Sequence, residues 1–584
     1  MSMANVTEDW LFAGTLEALQ QEKAKVIKGG IAVFYHEDQV YAVDNRCPHL
    51  GFPLHVGSLC DGILTCHWHH ARFDVCSGGT FDPWADDVPS HEVKVGEDGV
   101  WVHSRSRGVR DKEKQLERLK SGLEQNIGIV IAKAIVGLLE SGVPADEIAR
   151  TGIEYGTRLS GGWNSGLTIL TAMTRILPKL DGMGKLLALY QGLHHVARSS
   201  SGRAEHHLLG RLPGDEVPHE RLTAWYRSCM EVRDTQGAER ILLTAVGRGA
   251  SDEELADMML TAVTDHFYLD GGHTLDFHNK AFESLSLVNP ETRMQVLASL
   301  VPLMGSPTRS EELHQWQAPV NLVEPLREAF SQLSVHTGGE KTYQPFRMEE
   351  EEILVAALLG DQPLHTINMM LQFIKEGKDP LHLAQLVELA AAERIVRFHT
   401  QNDFGDWIAV LHTFTHAHAV YEMISRSRQP LLLRAVFYGA ISVYLDRFLN
   451  VPAAARPKPA PGGKLPELDE LLQLMDQRQQ VNEAAGWVIR YLRAGGDPAA
   501  LMNTLGHGLL REDAEFHSFQ LYEAAMTAYG KWSGRNDLFA ERAKETLLLA
   551  AVRYLAAHAP TARETPHTAR IAWRLHRGEK LFEE

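Results

Sequence analysis

Apolar and polar positions alternate along "AKVIKGGIAVFYHEDQVYAVDN" (24–45) and again along "HEVKVGEDGVWVHS" (91–104), where Asp98-Gly99 offers a hairpin turn. A period of two, broken by Gly- and Asp-containing turns, predicts strands, and residues 8–105 read as β. The pattern changes at "VRDKEKQLERLKSGLEQN" (109–126), which is charged and helical and predicts a helical linker over 108–126. From 127 to 584 the chain is rich in Ala and Leu at helical spacing, with a Pro-rich loop at 451–470. The expected architecture is multidomain, β plus all-α: a β-sandwich-like domain over 1–107, then a large helical domain over 127–584.

The helical part repeats itself loosely. "ESGVPADEIARTGIEYG", "GRGASDEELADMMLTAV", "KEGKDPLHLAQLVELAA" and "RAGGDPAALMNTLGHGL" each close a helix on Gly, and three reopen on Ser251, Asp379 or Asp497. Gly suits the position after a helix, and Ser or Asp the cap of the next. After each comes a helix with aromatic or His residues: "WNSGLTILTAM", "HTLDFHNKAF", "WIAVLHTFTHAHAV" and "HSFQLYEAAM". Stacked helical units sharing an interior follow from such self-similarity.

A length of 584 residues calls for more than one core. A formal charge of −17 argues against nucleic acid, which needs a basic face. With no secretory leader pattern and no apolar run of about 18 residues, the expected setting is soluble and cytoplasmic, with no membrane partner. Four of the five cysteines, Cys47, Cys60, Cys66 and Cys76, crowd into thirty residues, whereas Cys229 stands apart. That crowding suits a metal site better than a disulfide framework.

Cys47-Pro-His49 and Cys66-His-Trp-His69 form a C-x-H…C-x-x-H arrangement. Two thiolates can hold one iron of a [2Fe-2S] cluster and two neutral imidazoles the other; a mixed-ligand zinc site is the alternative. "CPHLGFPL" and "CHWHHARFDVCSGGTF" resemble the Rieske ferredoxins and the Rieske domains of bacterial ring-hydroxylating systems. The resemblance covers about 8–105 and implies Cys47, His49, Cys66 and His69 as cluster ligands. Respiratory-complex Rieske proteins carry a further disulfide between the two loops; its cysteines would fall near Phe52 and Trp68, so the resemblance is to the ferredoxin type, with a lower potential. His67 and His70 stand where such ferredoxins usually have Pro and Gly, and Cys60 and Cys76 read as structural thiols. Residues 1–106 carry a net charge of −8, which a basic patch on a reductase could recognise.

Of 29 histidines, 21 lie outside this segment. Several recur on the repeated helices: His273 and His278 in "DGGHTLDFH", His412 and His416 in "VLHTFTHAHAV", and His517 in "DAEFHSFQLY". His194 and His195 lie in "GLHHVARSS". Imidazoles on facing helices can ligate non-haem iron in a bundle core, although a lone buried His is as often an ordinary hydrogen-bonded core residue. The helical region resembles the questin oxidase-like family, whose motifs imply His273, His278, His412 and His517 as metal ligands, with His195 added from the upstream helix. A lysine expected soon after the late His is missing, and Glu523 offers a substitute carboxylate. "DGGHTLDFH" also resembles the D-x-x-H-x-x-x-x-H iron motif of Rieske oxygenase catalytic subunits, implying a catalytic Asp270 beside His273 and His278; the helical flanks do not suit the mixed fold of those subunits.

The function expected is an oxidoreductase, a Rieske-dependent mono- or dioxygenase. Electrons from an NAD(P)H-dependent reductase would pass through the [2Fe-2S] cluster to a mononuclear non-haem iron, with O2 and a hydrophobic aromatic compound as substrates. The alternative is a ferredoxin-type module with a metal-free helical docking scaffold. No G-x-S-x-G elbow, Walker loop or Rossmann fingerprint stands in a convincing context.

Overall fold

The computed structural model describes residues 9–106, 112–213, 217–336, 342–427, 429–458, 464–579 and 581, without the side chains of 334–336. Parts of the expected linker (108–111) and of the Pro-rich loop (459–463) lie outside the described residues. The chain divides into two compact units, Met1–Pro144 with His567–Glu584, and Ala145–Pro566.

Among the described residues the first unit holds nine strands: β1 (Trp10–Gly14), β2 (Ala24–Ile27), β3 (Ile31–His36), β4 (Gln39–Asp44), β5 (Ser58–Cys60), β6 (Ile63–Thr65), β7 (Arg72–Asp74), β8 (His91–Gly96) and β9 (Gly99–Ser106). They form three antiparallel sheets, ordered β1-β9-β8, β2-β3-β4 and β5-β6-β7. Alternation places Ile31, Val33, Ala42, Val100 and Val102 in one core and Ala32, Phe34, Val43, Leu64 and Phe73 in another. In the β8–β9 hairpin Gly96 pairs with Gly99, so Glu97-Asp98 makes the turn and Gly99 begins a strand; the turn expected at Asp98-Gly99 is displaced by one residue.

This unit extends past the boundary that periodicity suggests. The helices Lys112–Gln125 and Gly128–Glu140, assigned above to a linker and to the start of the helical domain, pack on each other within the first unit. The second has the sequence "GIVIAKAIVGLLE" and buries an unbroken run from Val130 to Leu138. A helix apolar all round needs cover on every face.

The second unit is helical, as expected. The four repeated glycines, Gly142, Gly249, Gly377 and Gly495, all have φ between 77° and 81°, the left-handed conformation that ends a helix. Ser251, Asp379 and Asp497 accept amide hydrogens at the next helix start. The four His- or aromatic-bearing helices pack as a ring. His273–Ser284 lies against Ser165–Ile176 and Phe404–Arg426, and Phe516–Trp532 touches both of those. No helix among the described residues is long and apolar enough to cross a membrane.

The ring is buttressed by the helix Gly182–Ser200, which lies almost against the backbone of Ser165–Ile176. A Cβ on Gly166 would stand 2.4 Å from the His195 carbonyl oxygen, and one on Gly192 would stand 2.9 Å from the Leu170 Cα. Backbone cannot yield as a side chain can. Gly166→Ala is therefore expected to destabilise this unit by about 2 kcal/mol, read as a lower midpoint of thermal unfolding by circular dichroism; an unchanged midpoint would mean that the two helices separate freely.

Candidate metal centres

The first centre lies on two loops of the β unit, one following β4 and the other joining β6 to β7. The loops repeat one hydrogen-bond pattern. The Cys47 carbonyl accepts from Gly51 N at 2.7 Å and the Cys66 carbonyl from His70 N at 3.1 Å. Each turn closes on a residue with positive φ, Gly51 at 85° and His70 at 61°. His70 thus occupies a glycine-type position, and its side chain is exposed. Cys60 and Cys76 are exposed free thiols.

Cys47 and Cys66 are each 1% exposed. Contact with the Cys47 thiol and the backbone amides of Trp68 and His69 hold the Cys66 thiol down to about 6, while that same contact and burial push the Cys47 thiol up. The His49 and His69 rings meet edge to face at 4.9 Å. Burial, reinforced by Lys133 and His69, keeps His49 neutral, down to about 4, and its Nδ1 is buried without a hydrogen-bond partner. Two buried thiols and two imidazoles, one with an orphaned ring nitrogen, fit the mixed ligation of a [2Fe-2S] cluster. Phe52 and Trp68 stack at 5.4 Å and 20°, so an aromatic pair ties the loops where the respiratory proteins would have a disulfide.

The second centre lies in the helical ring. Ligand atoms of His273, His412 and His517 all lie within 4.8 Å of one another. His412 Nε2 and His517 Nε2 are 2.9 Å apart, and the His273 ring centre is 4.3 Å from that of His412. Three elements deliver them. His412 projects from Phe404–Arg426. His517 lies at the start of Phe516–Trp532, whose cap Glu515 accepts the His517 amide and, at 2.6 Å, its Nδ1. The ring's other nitrogen, Nε2, is thereby turned toward His412, the carboxylate–imidazole arrangement common behind metal ligands. Burial pushes Glu515 up, but His517 and Ser518 outweigh it and hold the carboxyl at about 2. His273 opens its helix after Asp270, Gly271 and Gly272, three successive residues with positive φ. Burial is the main force keeping His412 and His273 neutral, at about 2 and about 4. Three imidazoles within an ion's reach suit iron, zinc or copper.

The other expected residues lie elsewhere. His278 is fully buried, and its Nδ1 bonds the Thr274 carbonyl of its own helix at 2.7 Å. His195 packs edge-on against Phe519 at 5.4 Å. Asp270, expected as catalytic, exchanges hydrogen bonds with Thr308 at 3.1 and 2.8 Å and so pins the turn that brings in His273. Glu523 binds Lys280 at 2.5 Å, with Arg175 at 3.5 Å. With His418 and Glu283 it forms a second tight group, but Lys280 and Arg175 already neutralise those carboxylates. Glu515, not Glu523, is the carboxylate of the triad; its signal in the sequence was an acidic cap two residues before His517.

A cavity of about 620 Å³ reaches the triad at His412. Tyr268, Trp316, Tyr444 and Phe448 contribute to its walls, with Asp446 among them. Asp446 is buried, and its Oδ2 has no hydrogen-bond partner. Desolvation pushes its carboxyl up to about 7 against the opposing pull of Thr413 and Arg394.

Residues 9–92 match the Rieske [2Fe-2S] domain. Over 94 residues the chain is 30% identical to the ferredoxin component of the naphthalene 1,2-dioxygenase/salicylate 5-hydroxylase systems of Ralstonia sp, covering 15% of this chain and 90% of that protein. It is 28% identical over 96 residues to apoptosis-inducing factor 3 of Homo sapiens and spans 16% of that relative's length. A solved complex of reduced oxygenase and oxidized ferredoxin in carbazole 1,9a-dioxygenase shares 28% identity over 17% of this chain and 97% of that one, at a TM-score of 0.16.

His70→Gly is expected to stabilise the β unit by about 1 kcal/mol while leaving the visible spectrum of the cluster in place. A fall in unfolding midpoint would show that the His70 side chain makes contacts worth more than its backbone strain.

Proposed function

Through residues 9–92 the chain belongs to the Rieske [2Fe-2S] domain family, and on that premise we propose that it is an oxygenase carrying its own electron-transfer domain. The observation that carries this reading is the convergence of His273, His412 and His517, from three different helices, beside a cavity whose walls include the aromatic rings of Tyr268, Trp316, Tyr444 and Phe448. The similarity of the helical region to the questin oxidase-like family supports it from the sequence side. An NAD(P)H-dependent reductase is the electron donor, drawn to the acidic β domain. The substrate is a hydrophobic, aromatic compound of a size that about 620 Å³ admits.

Non-haem iron held by the three imidazoles would supply the activation of O2. The chain's own residues do the rest. Glu515 fixes the tautomer of His517 through Nδ1 and leaves Nε2 to ligate. Trp316, Tyr444 and Phe448 exclude water and orient a flat ring. Asp446, ionised above pH about 7, accepts a proton from the bound substrate at its unpartnered Oδ2.

Iron analysis tests the centre: about three irons per chain are expected, two in the cluster and one at the triad. His412→Ala is expected to lose one iron and leave the cluster's visible spectrum intact. Two irons per chain, unchanged in His412→Ala, would leave an electron-transfer module with a metal-free helical scaffold. Asp446 adds a pH test. A carboxyl raised to about 7 is neutral below that pH, so turnover rises through pH about 7 in the native protein. Asp446→Asn is expected to lose that limb with the iron count still three; a retained limb would place the proton acceptor elsewhere.

A further inference from the structure

The ligand loops of the β unit are supported by something outside the strands. Lys133, in the middle of Gly128–Glu140, is 9% exposed, and its Nζ donates to the carbonyls of Pro48 and His49, the latter at 2.8 Å. Both carbonyls belong to the first ligand loop. Asp86 Oδ2 lies 3.4 Å from the same nitrogen, and the other oxygen, Oδ1, pairs with Arg118, which donates to the Ala85 carbonyl at 3.2 Å. Arg46, next to Cys47, donates to the carbonyls of Leu575 and Glu579. Three cations, Arg46, Arg118 and Lys133, therefore gather around one ligand loop, with Asp86 the carboxylate that pairs with two of them. Elsewhere this domain is acidic.

Lys133 is the member joined directly to the ligand segment. Burial and the nearby Arg118 pull its ammonium down to about 7 while Cys47 pulls it up, and every oxygen on its Nζ is an acceptor, two carbonyls and one carboxylate, which is the surrounding an ammonium requires. Nothing in a β-strand scaffold demands a lysine at the centre of an apolar helix. Burying one is costly, and the two carbonyls and Asp86 are what offset that cost here. A positive charge in a poorly screened interior favours the more negative, reduced state of a nearby redox group.

We propose that Lys133 is a positioning residue that sets the reduction potential of the [2Fe-2S] cluster, clamping the Pro48–His49 segment and holding a positive charge against it. The two helices after the strands thus serve as an electrostatic brace for the cluster. The inference concerns only the first centre and stands whether or not iron occupies the triad.

The test is a redox titration of the full-length, cluster-loaded protein, followed by visible absorbance and by the EPR signal of the reduced form. In Lys133→Gln the ratio of reduced to oxidised cluster at a fixed poise is expected to fall about tenfold, a downward shift of about 59 mV for a one-electron couple. Lys133→Arg should keep most of the native potential. Asp86→Asn, which removes the neutralising partner, should move the potential upward. Opposite signs are what a charge effect produces and a loosened loop does not. Should Lys133→Gln fail to retain its cluster, Asp86→Asn alone decides: an upward shift supports the proposal, and no shift or a downward one overturns it. A native potential in cluster-loaded Lys133→Gln also overturns it.

Discussion

The helical unit depends on how closely the backbone before His273 can approach the helix that carries His412. A Cβ on Gly272 would stand 2.9 Å from the His416 Cβ and 3.0 Å from the Tyr268 ring, and Gly271 lies against the His412 ring. Only glycine combines that proximity with positive φ. Through this approach a helix start, a helix middle and a third helix's first turn present imidazoles to one point. Asp270 and Thr308 lock the turn from outside. Glu515 performs the corresponding service for His517 with a side chain instead of a backbone device.

The two buried polar systems of this unit serve different ends. Around the triad burial keeps the His273 and His412 rings neutral, and Glu515 brings a carboxylate close to His517. Around Glu523, Lys280 and Arg175 meet Glu283 and Glu422 in a network where each carboxylate has a cation. A free ion entering there would have to displace a lysine or an arginine already in place. The acid–His grouping is similar in composition, and the difference lies in the cations.

Much of this was legible in residue order. Alternation gave the strands, repeated glycines and caps gave the helical units, and Cys-x-His with Cys-x-x-His gave the first centre. At the triad the repeated helices pointed to His273, His412 and His517. His278 was grouped with them because its spacing resembles a ligand motif, and its ring turns back to its own helix at Thr274. Asp270 read as catalytic for the same reason. Which side of a helix start faces inward depends on left-handed residues, and spacing does not encode them. Lys133 was invisible because a lysine within an apolar helix gives no hint of which carbonyls it will meet. The helix that carries it was assigned to the other domain, and the one before it to a linker, because periodicity reports an element's type and not its neighbours.

The aromatic closure between Phe52 and Trp68 has a chemical consequence. A sulfur–sulfur link between two such loops can be opened by a thiol, and its state follows the glutathione or thioredoxin around it. An indole lying on a phenyl ring has no bond for a thiol to attack. The seam between these loops therefore holds equally in strongly reducing and in oxidising surroundings, and only solvents or temperatures that weaken aromatic packing can open it.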